Sequence, residues 1–185
     1  MNRYKRSFAL LIATWFGTGL IPPIVLKGMA GTYGSFFSIP LCVAAVLCTR
    51  AAEHAAIFPG QKWTMTACIL AVFLLGIWAI PIAEQALGPR RDWHGRIKNQ
   101  DQNQIVIDET FGMLISCWPL QWSDSEPAWW QFGLAFVLFR IFDVIKVPPT
   151  GYFDRQKSAA GVMLDDAIAG IYAGGTLVFI TILLS

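Results

Sequence analysis

Residues 64–83 read TMTACILAVFLLGIWAIPIA, an apolar run with no charged side chain. A run of about 20 such residues has the length of a membrane-crossing helix. The composition agrees. Of 185 residues, 55% are hydrophobic and 14% charged, with mean hydropathy +0.51, whereas a soluble domain carries about 25% charged residues. Eight tryptophans suit a protein with lipid–water boundaries. The net charge of +2, with no basic block longer than Arg3, Lys5 and Arg6, argues against a nucleic-acid surface. Cys42, Cys48, Cys68 and Cys117 lack C-x-x-C spacing and read as small buried hydrophobes, not a zinc site.

Outward from this run, residues 8–25 are apolar but broken by Gly17, Gly19, Pro22 and Pro23. A straight crossing is therefore not expected there; a segment that dips into the membrane and returns is. Its basic start resembles a signal peptide, but no small-residue cleavage site follows, so it is read as mature protein. Residues 28–35 hold Gly28, Gly31 and Gly34 with Thr32 and Ser35. They predict a loop whose backbone N–H groups can approach an anion, or simply a turn between two membrane segments. The lysine ending of a P-loop is missing. Residues 36–48 form a second apolar segment that spans only with its flanks, and 50–63 is a polar break around Pro59 and Gly60. Residues 84–104 are an aqueous loop carrying Arg90, Arg91, Asp92, His94, Arg96, Lys98 and Asp101. Apolar runs follow at 111–122, 129–138 and 167–184, the second opening a helix expected over 129–146, with an acidic turn at 123–127 between tryptophans. The expected fold is all-α: one multi-helix integral membrane bundle over 1–185, with a re-entrant or broken N-terminal segment and a cytoplasmic-face active site.

Counting crossings orients it. If 36–48, 64–83, 111–122 with its flanks, 129–140 and 167–184 each cross once, the loops at 28–35, 84–109 and 141–166 share one side. That side holds Arg90, Arg91, Arg96, Lys98, Lys146, Arg155 and Lys157 against only Arg50 and Lys62 on the other, which makes it cytoplasmic. It also gathers Asp101, Asp108, Glu109, Asp143, Asp154, Asp165 and Asp166. Carboxylates without histidine or cysteine suit a hard cation such as Mg²⁺, which takes oxygen ligands and works with substrate phosphate. Arg140, Asp143 and Lys146 are three residues apart, so a helix puts them on one face, where the two cations can hold phosphate oxygens. The bland alternatives are a helix end reaching water and acidic residues placed by the helix dipole. Cys117 is an unpromising nucleophile, and His54 and His94 lack triad partners. A phosphorylated lipid fits best: phosphate at the surface, acyl chains in the bilayer.

Three stretches then resemble the signature blocks of the phosphatidylglycerophosphatase A family: Ile105-Val106-Ile107-Asp108-Glu109 with Gly112, Phe139-Arg140-x-Phe142-Asp143-x-x-Lys146, and Gly161-Val162-Met163-Leu164-Asp165-Asp166 with Ala169-Gly170. Phe16-Gly17-x-Gly19 and Gly31-Thr32-x-Gly34-Ser35 resemble its N-terminal blocks. One departure is Val147 before Pro148 and Pro149, where the family usually has proline directly after the lysine. The resemblance implies a Mg²⁺-dependent phosphatase of the bacterial inner membrane that converts phosphatidylglycerophosphate to phosphatidylglycerol. On that reading Asp108, Glu109, Asp165 and Asp166 hold the metal. Arg140 and Lys146 grip the phosphate, Asp143 orients Arg140 or binds metal, and Gly31, Thr32, Gly34 and Ser35 line the phosphate site. The rivals are a phosphatase or phosphotransferase for another lipid phosphate and, outside enzymes, a small cation transporter using the helix-end carboxylates, which would be expected at mid-helix instead.

Overall fold

The structure is a computed structural model and describes residues 3–21, 29–54, 63–88, 90–91, 97–98, 104–123, 126–149 and 158–184. Asp92, His94, Arg96, Asp101, Asp154, Arg155 and Lys157 from the sequence reading lie outside the described residues. The described chain is helical: α1 (Arg3–Ala13), α2 (Ala30–His54), α3 (Trp63–Leu87), α4 (Ile107–Cys117), α5 (Trp129–Ile145) and α6 (Ala159–Leu184). Two 3-10 turns, Thr18–Leu20 and Trp118–Trp122, and one two-residue antiparallel pairing of Arg90–Arg91 with Ile97–Lys98 complete it.

Three helices, α2, α3 and α6, are long and apolar enough to cross a membrane. Pro40 and Pro81 sit inside α2 and α3, as membrane helices tolerate because neighbours and hydroxyls can satisfy the freed backbone groups. In α2 the hydroxyls of Ser35 and Thr49 bond back to Gly31 O and Ala45 O at 2.8 Å, so neither is left bare in apolar surroundings. The helix starts at Ala30, so Gly31 to Ser35 are helical and not the loop expected. The flanks of 36–48 supply the missing length.

Helix α4 is the buried centre. Eight of its eleven residues are buried, and at about 16 Å it is too short to cross alone. Pro119 turns its continuation into the 3-10 stretch Trp118–Trp122. It packs most extensively against α6, and α2 and α3 close its other sides. A Cβ on Gly170 would lie 2.5 Å from Gly112 O, and one on Gly112 would run into the Phe139 ring and lie 2.8 Å from Asp166 O. Missing side chains thus let the backbones of α4 and α6 approach, with the Phe139 ring of α5 seated beside them.

Helix α5 starts where the Gln131 side chain accepts the Ala128 N–H at 2.8 Å. It stops at Lys146, whose φ of 52° and ψ of 60° give a left-handed cap. Helix α6 starts under Ser158, whose Oγ accepts the Gly161 N–H at 3.0 Å. Asp165 and Asp166 therefore lie inside α6, well past its start, and not in its first turn.

The N-terminal segment enters and comes back. Arg6 Nη2 donates to Ala86 O in the last turn of α3 at 2.8 Å. After Ala13 the chain reverses through Trp15, Phe16 and Gly17, all with positive φ. Gly19 then seats against Gln104 O, and Val106 N–H donates to Ala13 O at 2.9 Å. Ala30 begins α2 at the same end of the bundle. The four cysteines are free thiols; Cys42 and Cys117 are buried as expected, while Cys48 is exposed on α2.

Candidate active site

The functional end of the bundle is where α4 and α6 begin and α5 stops. Asp108 and Glu109 stand in the first turn of α4, where the helix dipole favours anions. Asp166 reaches them from α6, and carboxylate oxygens of Asp108, Glu109 and Asp166 all lie within 4.8 Å of one another. Asp166 is 6% exposed. Glu109 keeps some residue surface, yet its Oε2, like Oδ2 of Asp166, is closed to solvent with no hydrogen-bond partner. Burial pushes the Glu109 carboxyl well above the usual carboxylate range, reinforced by Asp108 and Asp166 and opposed by Arg140. A shared cation would relieve this crowding. All three donors are hard oxygens, the set that suits Mg²⁺ with water completing its shell.

The cations stand beside the trio. Arg140 Nη1 is 2.8 Å from Asp143 Oδ2, the i,i+3 pair expected from the spacing. The same nitrogen donates to Ser35 Oγ at 3.4 Å. Lys146 Nζ is 3.0 Å from Asp165 Oδ2. Asp165 and Asp166 are adjacent on α6 and so point about 100° apart, one toward Lys146 and the other into the trio. The structure thus groups three of the four carboxylates assigned to metal and pairs the fourth with a lysine.

The glycine block of α2 divides as well. Gly31 lies against Glu109 Oε1 and Arg140 Nη1, Gly34 against the Val106 side chain, and Ser35 under Arg140. Thr32 is half-buried. Two supports escaped the sequence reading. Tyr172 Oη donates to Pro148 O at 2.8 Å and its ring stacks on Phe142 at 5.6 Å, bracketing the turn after Lys146. The hydroxyls of Ser38 and Thr110 hydrogen-bond at 2.7 Å between α2 and α4. Neither has a spacing that marks it in one sequence.

Comparison with known proteins identifies the family. The family model for phosphatidylglycerophosphatase A matches residues 11–181. A protein of Bacteroides thetaiotaomicron named putative phosphatidylinositol-3-phosphatase is 29% identical over 89% of this chain and 87% of its own. Phosphatidylglycerophosphatase A of Escherichia coli K12 is 30% identical over 92% of this chain and 81% of its own. The protein of that name from Haemophilus influenzae is 30% identical over 88% and 82%. No solved structure matches the chain. With the family's match running through every helix that carries the acidic site, the chain is a phosphatase and belongs to the phosphatidylglycerophosphatase A family.

Proposed function

We propose that this single membrane-embedded domain, residues 1–185, hydrolyses the terminal phosphomonoester of phosphatidylglycerophosphate in a Mg²⁺-dependent reaction. It works at the cytoplasmic face of a bacterial inner membrane. The observation that carries this reading is the carboxylate trio within 4.8 Å, set beside Arg140 at one end of an apolar bundle. Basic Arg3, Lys5 and Arg6 enter at that same end, which favours the cytoplasm. The acyl chains would stay among the exposed apolar faces of α2, α3 and α6 while the phosphate meets the site at the surface.

Asp108, Glu109 and Asp166 would hold the cation, with Asp165 near enough to take part through water. When bound, Mg²⁺ supplies charge on the phosphoryl oxygens and a more acidic water. Arg140, kept in place by Asp143 and Ser35, would bind phosphate oxygens with its planar fork. Lys146 would add a point charge after leaving Asp165. The first-turn N–H groups of α2 around Gly31 and Thr32 present the positive end of the helix beside Arg140, with Gly34 and Ser35 one turn further along. The water oxygen attaches to phosphorus, the bond to the glycerol oxygen breaks, and that oxygen takes up a proton.

The test is phosphate release from a panel of lipid monophosphates, with and without Mg²⁺. Phosphatidylglycerophosphate is expected to be hydrolysed fastest, with no nucleotide-activated co-substrate. The name of the Bacteroides relative puts phosphatidylinositol 3-phosphate in the panel; a faster rate on it would move the substrate assignment and leave the chemistry standing.

Lys146 allows a sharper experiment. A non-glycine residue in the left-handed region costs about 1–2 kcal/mol, so glycine would suit the backbone better at this cap. Lys146→Gly is therefore expected to keep a melting temperature near that of the parent while losing about 10²-fold in turnover. Lys146→Ala should lose activity and melt lower. Full turnover in Lys146→Gly would remove the lysine from the site.

A further inference from the structure

The position of Glu109 is bounded by a residue on another helix. We infer that Gly31 is a positioning residue for the Glu109 carboxylate: any side chain at 31 and a glutamate at 109 exclude each other. The inference rests on the reading of Glu109 as part of the cation site.

A Cβ built on Gly31 would overlap Glu109 Oε1, lie 3.1 Å from Glu109 Cδ and lie 3.3 Å from Arg140 Nη1. The end of a flexible side chain normally moves aside cheaply. Here the neighbours oppose that movement. Asp108 and Asp166 stand within 4.8 Å and repel the carboxylate. Arg140, on the same contact point, is tied to Asp143 at 2.8 Å and to Ser35 at 3.4 Å.

Helix α2 cannot back away either. One turn on, Gly34 fits against Val106, where a Cβ would come within 2.5 Å of the Val106 Cβ. Val106 is itself held by its N–H on Ala13 O at 2.9 Å, and the Ser38–Thr110 hydrogen bond of 2.7 Å ties the helices just beyond. Gly34 and Ser38 thus fix the spacing of α2 and α4, and the missing side chain of Gly31 sets how far the 109 side chain reaches across it. Gly31 touches neither water nor phosphate through a side chain; it acts through Glu109.

The experiment is a cycle of Gly31→Ala, Glu109→Asp and the double variant, with Gly34→Ala alone and combined with Glu109→Asp as the control. Mn²⁺ binding is read by electron paramagnetic resonance in detergent, and melting temperature is read without metal. Gly31→Ala is expected to weaken Mn²⁺ binding by about 10-fold or more, the loss typical when the support of a ligand is disturbed. Aspartate is one methylene shorter, so the double variant should bind at least as well as Gly31→Ala alone, and its metal-free melting temperature should recover. Gly34→Ala clashes with Val106 and should show no recovery with Glu109→Asp. Losses that simply multiply, or wild-type binding by Gly31→Ala, would overturn the inference. If Gly31→Ala fails to accumulate, recovery in the double variant supports the inference and continued failure overturns it. If the parent binds no Mn²⁺, the metal reading fails, and coupling in the metal-free melting temperatures still decides the steric pairing.

Discussion

Asp166→Asn is expected to lower phosphate release by about 10³-fold and, at the same time, to raise the melting temperature of the metal-free protein. Both effects follow from one carboxylate. Asp166 is 6% exposed, its Oδ2 has no hydrogen-bond partner, and its oxygens lie within 4.8 Å of those of Asp108 and Glu109. Without a cation, three acids in that space repel one another and lack the water that would solvate them. Asparagine keeps the volume, removes one negative charge and offers an N–H to a neighbouring carboxylate. The relief of about one kcal/mol would raise the melting temperature by roughly 2–4 °C in a chain of this size. The same change removes a charged cation ligand, so Mn²⁺ binding should fall with activity. A variant that merely misfolds would lose both activity and stability, so the opposite signs isolate the site. The measurements are phosphate release from phosphatidylglycerophosphate in detergent micelles and thermal unfolding in chelator. Undiminished turnover, or a lower melting temperature, would remove Asp166 from the proposed role.

What the sequence displayed well was whatever lies contiguous along the chain. The run 64–83 became α3 (Trp63–Leu87), with one residue added at its start and four at its end. Arg140 and Asp143 pair at 2.8 Å because three residues on a helix make neighbours. The N-terminal segment reverses at Trp15 to Gly17, as Gly17 and Gly19 indicated, while Pro22 and Pro23 lie outside the described residues. Failures came where a residue's meaning depends on another helix. Gly31 and Gly34 looked like turn residues, since glycine disfavours helices by about 1 kcal/mol. In α2 they recur on one face and make room for Glu109 and Val106, a packing gain that local propensity does not contain. Asp165 and Asp166 looked like one ligand pair, but adjacent helical residues diverge, and only the positions of α4 and α5 reveal what each meets. The run 111–122 is apolar because α4 is enclosed by protein, and with its flanks it reaches the far end of the bundle, where Arg50 near the end of α2 donates to Ser123 O at 2.6 Å.

Gly112→Val is expected to prevent accumulation of folded protein, and Gly112→Ala to leave a folded but crippled enzyme with turnover reduced about 10²-fold. The argument starts from the Cβ that Gly112 lacks. It would strike the ring of Phe139, which is 0% exposed and enclosed by the core, and lie 2.8 Å from Asp166 O. A backbone carbonyl cannot rotate aside as a side chain can, and α6 is already so close that a Cβ on Gly170 would lie 2.5 Å from Gly112 O. Overpacking an ordinary core costs about 1–3 kcal/mol, and valine adds two methyls to a contact closed on both sides. The only general relief is separation of α4 from α6. That separation acts on the site directly, because Asp108 and Glu109 ride on α4 while Asp166 rides on α6, and Gly112 is one turn beyond Asp108. A misplacement of about 1 Å at a reacting centre is enough for a 10²-fold loss. Shrinking the other partner should return part of it: Phe139→Leu in the Gly112→Ala background is expected to regain turnover, while Phe139→Leu alone leaves a cavity and lowers stability. Turnover and melting temperature measured for the four proteins decide the matter. If Gly112→Ala keeps most of its activity, the separation of α4 from α6 does not govern the acidic site, and the distance between Asp108 and Asp166 must be set elsewhere in the bundle.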